Sequence, residues 1–163
     1  MLSFLNRNLL QPLHALKHNS RHLRYLRILE RTQYDDPEVV RRRQWVMLKR
    51  VLDHAYRTVP YYRAAFDGVG AHPDDIRTPR DLAQLPVLTK ARIRSHERGL
   101  LSDRYRAEEL AVKRTSGSTG VPLTVRIDRP AVEWKTACTL RSDQWSGWRL
   151  GGRVAKVDRK SVV

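Results

Sequence analysis

Residues 114–122, Arg114-Thr115-Ser116-Gly117-Ser118-Thr119-Gly120-Val121-Pro122, crowd hydroxyls and glycines together more densely than any other stretch of the chain. Two glycines three residues apart can take φ > 0 and let the backbone approach a bound group closely. Successive N–H groups in such a turn point into one concavity, a nest that suits phosphate oxygens. Thr115, Ser116, Ser118 and Thr119 add hydroxyl donors, while Lys113 and Arg114 bring positive charge to the approach. The chemistry these residue types suit is phosphate binding. The spacing is not that of a Walker loop, which ends in Gly-Lys-Ser/Thr and opens directly into a helix. Here Gly120 leads into Val121-Pro122-Leu123-Thr124-Val125-Arg126-Ile127, an alternating, β-branched run that reads as a strand. Leu110-Ala111-Val112 can be extended on the near side, so the loop is expected at the tip of a hairpin spanning roughly 110–127. Taken alone, a Ser/Thr/Gly cluster between strands is more often an ordinary hairpin turn.

Three segments in order carry a more specific signal. Thr-Ser-Gly-Ser-Thr-Gly-x-Pro at 115–122 resembles the ATP-phosphate loop of the adenylate-forming (acyl-CoA synthetase-like) superfamily. His54-Ala55-Tyr56-Arg57-Thr58-Val59-Pro60-Tyr61-Tyr62-Arg63 and Asp81-Leu82-Ala83-Gln84-Leu85-Pro86-Val87-Leu88-Thr89-Lys90 resemble one branch of it, the phenylacetate-CoA ligase and CapK-like proteins. The resemblance runs from about residue 35 to the end. Many superfamily members carry a Lys right after the loop's Pro, where this chain has Leu123. The CapK-like branch commonly lacks that Lys.

The resemblance implies ATP-dependent activation of a small carboxylic acid to an acyl-adenylate with release of pyrophosphate. Transfer of the acyl group to a thiol such as coenzyme A usually follows. It gives Thr115, Ser116, Gly117, Ser118, Thr119 and Gly120 the task of gripping the β/γ-phosphates, normally with Mg²⁺ beside them. That is charge stabilisation of a leaving group by preorganised donors. The loop is expected to close over ATP, with its glycines as hinges. Members are typically more than twice this long, and the parts that hold adenine and ribose, the acidic residue near the metal and the lid with its catalytic Lys lie further along. The expectation is therefore an N-terminal fragment, inactive alone, with no catalytic and no metal-ligating residue assigned within it. "Phenylacetate" names the resemblance and not a ligand, because the pocket that selects the acid is largely outside these residues.

The elements that must position the loop are mostly helical. Leu2, Leu5, Leu9, Leu13 and Leu16 fall at helical spacing in a basic amphipathic piece with Pro12 inside it. One reading is a helix on a membrane surface. The favoured reading is a short leader packed on the rest of the protein, since Pro12 should break the helix and the stripe is thin. Residues 22–31 read as a second helix. Asp36 as N-cap and Pro37 at the first position start a third. Its expected core face is Val40, Gln44, Met47, Leu48, Val51 and Ala55, and Pro60 should end it. Tyr61, Tyr62 and Phe66 follow, read as a satellite core in preference to a base-stacking platform. Thr78-Pro79-Arg80-Asp81 begins another helix, and Thr89 caps a short basic one through about Arg98. After the loop, Asp128 and Pro130 open a last helix on which Trp134, Cys138, Arg141, Trp145 and Trp148 share a face, read as its core face in preference to a substrate pocket. Cys138 has no visible base and is not read as a nucleophile. Gly151-Gly152 should turn into a new strand.

The fold class expected is α/β: a helical leader, 1–75, and the first part of an AMP-binding (adenylating) domain, 76–163, incomplete where the chain stops. The 163 residues carry 32 Lys and Arg against 17 Asp and Glu, a net charge of +15. Such a charge attracts polyanions and anionic lipid without specificity. With no nucleic-acid-binding motif beside it, a solvated helix face is the favoured account. A stand-alone basic module for polyanion or membrane surface is the alternative function. No apolar stretch approaches the ~20 residues a bilayer span needs. A single cysteine, Cys138, excludes an internal disulfide. With no signal peptide legible at the start, a cytoplasmic location is expected.

Overall fold

The computed structural model describes residues 2–115 and 122–152. In chain order the elements are α1 (Leu2–Leu5), a π-helical turn (Asn6–Leu10), α2 (Gln11–Lys17), α3 (His22–Thr32), α4 (Pro37–Thr58), α5 (Pro60–Asp67), α6 (Lys90–Ser95), β1 (Ala111–Arg114), β2 (Thr124–Ile127) and α7 (Arg129–Trp145). Short 3₁₀ turns at Pro73–Asp75, Pro79–Gln84 and Ala107–Glu109 lie between α5 and β1. The described residues are mostly helical with one small antiparallel sheet, as an incomplete α/β domain should be. The described residues form two compact units: those within 35–129, and those within 1–34 together with those from Pro130 to Gly152.

In the 35–129 unit, α4 starts where the sequence says. The Asp36 carboxylate accepts the Glu38 N–H at 2.7 Å, and Pro37, which has no N–H to lose, takes the first position. The core is Leu52, Phe66 and Ile76, with Trp45, Leu48, Tyr56, Ala71, Leu82 and Leu85 packed around it. The buried stripe of α4 is thus Trp45, Leu48, Leu52 and Tyr56, at steps of 3, 4 and 4. The face expected from the sequence is displaced from it: Met47 and Val51 are exposed. The aromatic-bearing stripe removes more apolar area from water, and Tyr56 meets the Phe66 ring edge-on at 5.6 Å.

Pro60 does more than end α4. Val59 is extended (φ −119°, ψ 107°) and Pro60 opens α5, so Tyr61, Tyr62 and Phe66 are helical. Phe66 is fully buried, which bears out its reading as core. Lys49 Nζ donates to the carbonyls of Pro73 and Ile76, tying the first 3₁₀ turn to α4. The expected helix at Thr78 is a 3₁₀ turn, held by the Asp81 carboxylate accepting the N–H groups of Thr78 (2.7 Å) and Arg77 (2.9 Å). Those two bonds to the ionised form also hold the Asp81 pKa below its usual value. Thr89 Oγ1 accepts the Arg92 N–H at 3.2 Å to cap α6, which stops at Ser95, short of Arg98.

In the other unit, Pro12 does not break the helix. The Gln11 N–H reaches back five residues to the Asn6 carbonyl, and the π turn this makes widens the ladder just before the proline ring. The helical run continues from Leu2 to Lys17. Ala15 is its buried residue, whereas Leu5, Leu9, Leu13 and Leu16 are exposed, so the leucine stripe is not packed on the described protein. Leu26 of α3 is buried, and Tyr25 stacks on Trp134 of α7, ring centres 4.2 Å apart and 7° from parallel.

The buried side of α7 is Glu133 and Ala137, continued by half-buried Leu140, Arg141 and Gln144. The expected tryptophan face is therefore corrected. Trp134 is half-buried, Cys138 is exposed, Trp145 is 62% exposed, and Trp148 lies beyond the helix end. Small Ala137 admits close packing, and the polar ends of Gln144 and Trp145 find partners, donating to Glu30 at 2.8 Å and to Gln33 at 3.0 Å. Gly151, at φ +88°, makes the expected turn. The strand expected after it lies outside the described residues.

Candidate functional site: the hairpin at residues 111–127

β1 and β2 pair antiparallel in the register Ala111↔Ile127, Val112↔Arg126, Lys113↔Val125 and Arg114↔Thr124. The hairpin expected from the alternating pattern is present, with the hydroxyl-rich residues as its connection. Paired residues share a face in such a ladder, which puts Val112, Arg114, Thr124 and Arg126 on one side. Ala111, Lys113, Val125 and Ile127 are on the other. Val112 and Val125 are both exposed.

The ladder continues one rung past the strands. Thr115 N–H donates to the Leu123 carbonyl at 3.0 Å, and the Leu123 N–H donates to Thr115 Oγ1 at 2.9 Å. A regular rung here would use the Thr115 carbonyl as second acceptor. Its hydroxyl oxygen takes that place. The neck of the loop is thus closed by one residue pair, and the Thr115 O–H proton is left to donate elsewhere.

The foot of the hairpin is fixed to the segment before it. Tyr105 O–H donates to Asp128 Oδ2 at 2.9 Å, a bond that raises the phenol's pKa because ionisation would set two anions together. Arg126 Nη1 donates to the Ala107 carbonyl at 3.3 Å, and its Nη2 lies 4.0 Å from Glu97 Oε1. These anchors are not legible in the sequence. Asp128 reads there as a helix opener and Tyr105 carries no pattern at all.

Of the residues assigned to phosphate by resemblance, Thr115 sits at the neck. Ser116, Gly117, Ser118, Thr119 and Gly120 lie outside the described residues, and so does the nest geometry expected of them. Among the described residues no group of three or more His, Cys, Asp or Glu is placed to hold a metal ion, and no helix is long and apolar enough to cross a membrane.

No family model matches the chain. Individual proteins do, and they support an adenylate-forming, CoA-ligase-like family for it. The chain is 33% identical over 126 residues to a phenylacetate-coenzyme A ligase of Aromatoleum evansii, an alignment covering 77% of this chain and 29% of that protein. The enzyme of the same name from Pseudomonas putida is 32% identical over 117 residues, covering 72% of this chain and 27% of its own length. That of Escherichia coli K12 is 40% identical over 86 residues, covering 48% and 18%. The chain thus spans less than a third of the length of these relatives.

Proposed function

We propose that this chain is a segment of an ATP-dependent, acyl-adenylate-forming enzyme of the phenylacetate-CoA ligase and CapK-like branch. Its hairpin loop, Thr115 to Gly120, grips the β- and γ-phosphates of ATP. The observation that carries this reading is the identity of 32–40% to several proteins all named phenylacetate-coenzyme A ligase. A small carboxylic acid is the substrate of the whole enzyme, Mg²⁺ accompanies the nucleotide, and coenzyme A is the acceptor. Residues 1–75 act as a helical leader and 76–163 as the first part of the AMP-binding domain, a functional division distinct from the two compact units. The site of action is the cytoplasm.

The loop's part is to present donors to the phosphates that leave as pyrophosphate. Preorganised N–H and O–H groups stabilise the charge that gathers there at little cost in reorganisation. Thr115 closes the neck of the loop, and Ser116 to Gly120 supply the donors. The nucleotide-base site and the catalytic Lys belong to the remainder of such an enzyme, and the segment alone does not turn over.

The test is titration of the 163-residue chain with Mg·ATP and with pyrophosphate, followed by amide NMR. The Gly117 and Gly120 amides are expected to shift, and the shifts to vanish in Ser118→Ala/Thr119→Ala. Unmoved loop amides, or shifts indifferent to that double substitution, overturn the phosphate role. ATP–pyrophosphate exchange by the purified chain is expected to be absent, and robust exchange overturns its inactivity alone.

A further inference from the structure

The leucine stripe of the opening helices has no packing role among the described residues. Leu5, Leu9, Leu13 and Leu16 recur at steps of 4, 4 and 3 on one side of the run Leu2 to Lys17, and they are between 46% and 75% exposed. Phe4 and Leu10 beside them are exposed as well. Six large apolar side chains within thirteen residues make a contiguous patch of a kind that marks an interaction surface. The helix buries its small residue, Ala15, and turns its large ones outward.

Charge decides what the patch fits. Residues 1–29 contain no Asp or Glu, and they carry Arg7, Lys17, Arg21, Arg24 and Arg27, all exposed. The whole chain is at +15. A second copy would bring the same cations against themselves, which costs free energy. An anionic bilayer surface answers both features: acyl chains take the leucines and headgroup phosphates take the cations. The run is about 24 Å long at 1.5 Å per residue, too short and too polar to span a bilayer, and well suited to lying in the interface plane.

We propose that residues 4–16 form a membrane-surface helix that inserts Leu5, Leu9, Leu13 and Leu16 into an anionic leaflet, with Lys17 and the arginines of α3 on the headgroups. This surface does not depend on the reading of the hairpin loop.

The experiment is co-sedimentation of the 163-residue chain with vesicles of phosphatidylglycerol and phosphatidylcholine, and with vesicles of phosphatidylcholine alone. The chain is expected to bind the mixed vesicles and not the neutral ones. Leu9→Glu/Leu13→Glu should lower the bound fraction about tenfold with its helical circular dichroism intact, because both sites face solvent. Leu9→Gln/Leu13→Gln adds no negative charge and should weaken binding as well. Binding by both leucine variants at the wild-type level would reduce the effect to adsorption by charge and overturn the insertion. Absence of the wild type from the mixed vesicles overturns the surface altogether. A dimer that the leucine variants dissociate, with no vesicle binding, makes a second copy the occupant and sinks the proposal.

Discussion

Thr115 and Leu123 exchange two hydrogen bonds, but the second is made by a side chain: Leu123 N–H donates to Thr115 Oγ1 and not to the Thr115 carbonyl. A hydroxyl therefore closes the neck of the loop, and residue 115 is specified by the hairpin before any ligand enters. Thr115→Val keeps the shape and removes the acceptor, so the Leu123 amide should lose protection from hydrogen exchange, by about 1 kcal/mol. Thr115→Ser should retain it. Equal protection in all three proteins would show that the side-chain bond contributes nothing to closing the loop.

The start of α4 rests on one carboxylate. Asp36→Ala removes the acceptor of the Glu38 N–H and should destabilise the 35–129 unit by about 1 kcal/mol, with Asp36→Ser close to wild type. Urea midpoints of the three proteins measure the difference.

The interior of that unit is small, so each large member matters. Phe66 is fully buried against Leu52 and Ile76, and Phe66→Ala should cost about 3–5 kcal/mol through lost burial and the cavity left behind. Val51→Ala on the exposed side of α4 should change the urea midpoint little. A large effect of Val51→Ala would restore the face that the sequence pattern favours.

The tryptophans separate by solvent access. Trp145 is 62% exposed beneath the Arg141 guanidinium, while Trp134 is half-buried and stacks on Tyr25. Acrylamide quenching should fall markedly in Trp145→Phe and hardly change in Trp134→Phe. The reverse order would return Trp145 to a core.

His22 gives one stability term a pH dependence. Burial lowers its imidazole pKa below 6.5, the nearby Glu133 carboxylate pulls it back up, and His14 lowers it further. The unfolded chain therefore binds more protons at this residue than the folded one does between the folded pKa and about 6.5. Its contribution is full above about pH 6.5 and is lost as the pH falls through the folded value. His22→Gln should flatten the slope of stability against pH just below 6.5, read from urea midpoints at several pH values. An unchanged slope would mean that folding leaves this imidazole's proton affinity unaltered.

What the sequence determined by itself is local in origin. The cap at Asp36-Pro37, the helix read at 22–31 and the hairpin are each fixed by neighbours a few residues apart, respectively through a side-chain cap with fixed proline φ, leucines on neighbouring turns, and two-residue alternation. The order of three motifs also carried the family resemblance without any structure. The tertiary structure decided which way amphipathic surfaces turn. On α4 two apolar stripes compete a residue apart, and Trp45 and Tyr56 win over Met47 and Val51 because the larger rings bury more area against Phe66 and its neighbours. On α7 the regular tryptophan spacing gives way to Ala137, since close packing favours the small side chain and Trp145 can satisfy its N–H at Gln33. In the opening helices a π turn absorbs Pro12 and the leucines end up outside. Thr115 shows the same division at the site itself: its residue type suits either a phosphate or a hydrogen-bonded neck, and only the pairing of strands brought the Leu123 N–H within 2.9 Å of its hydroxyl.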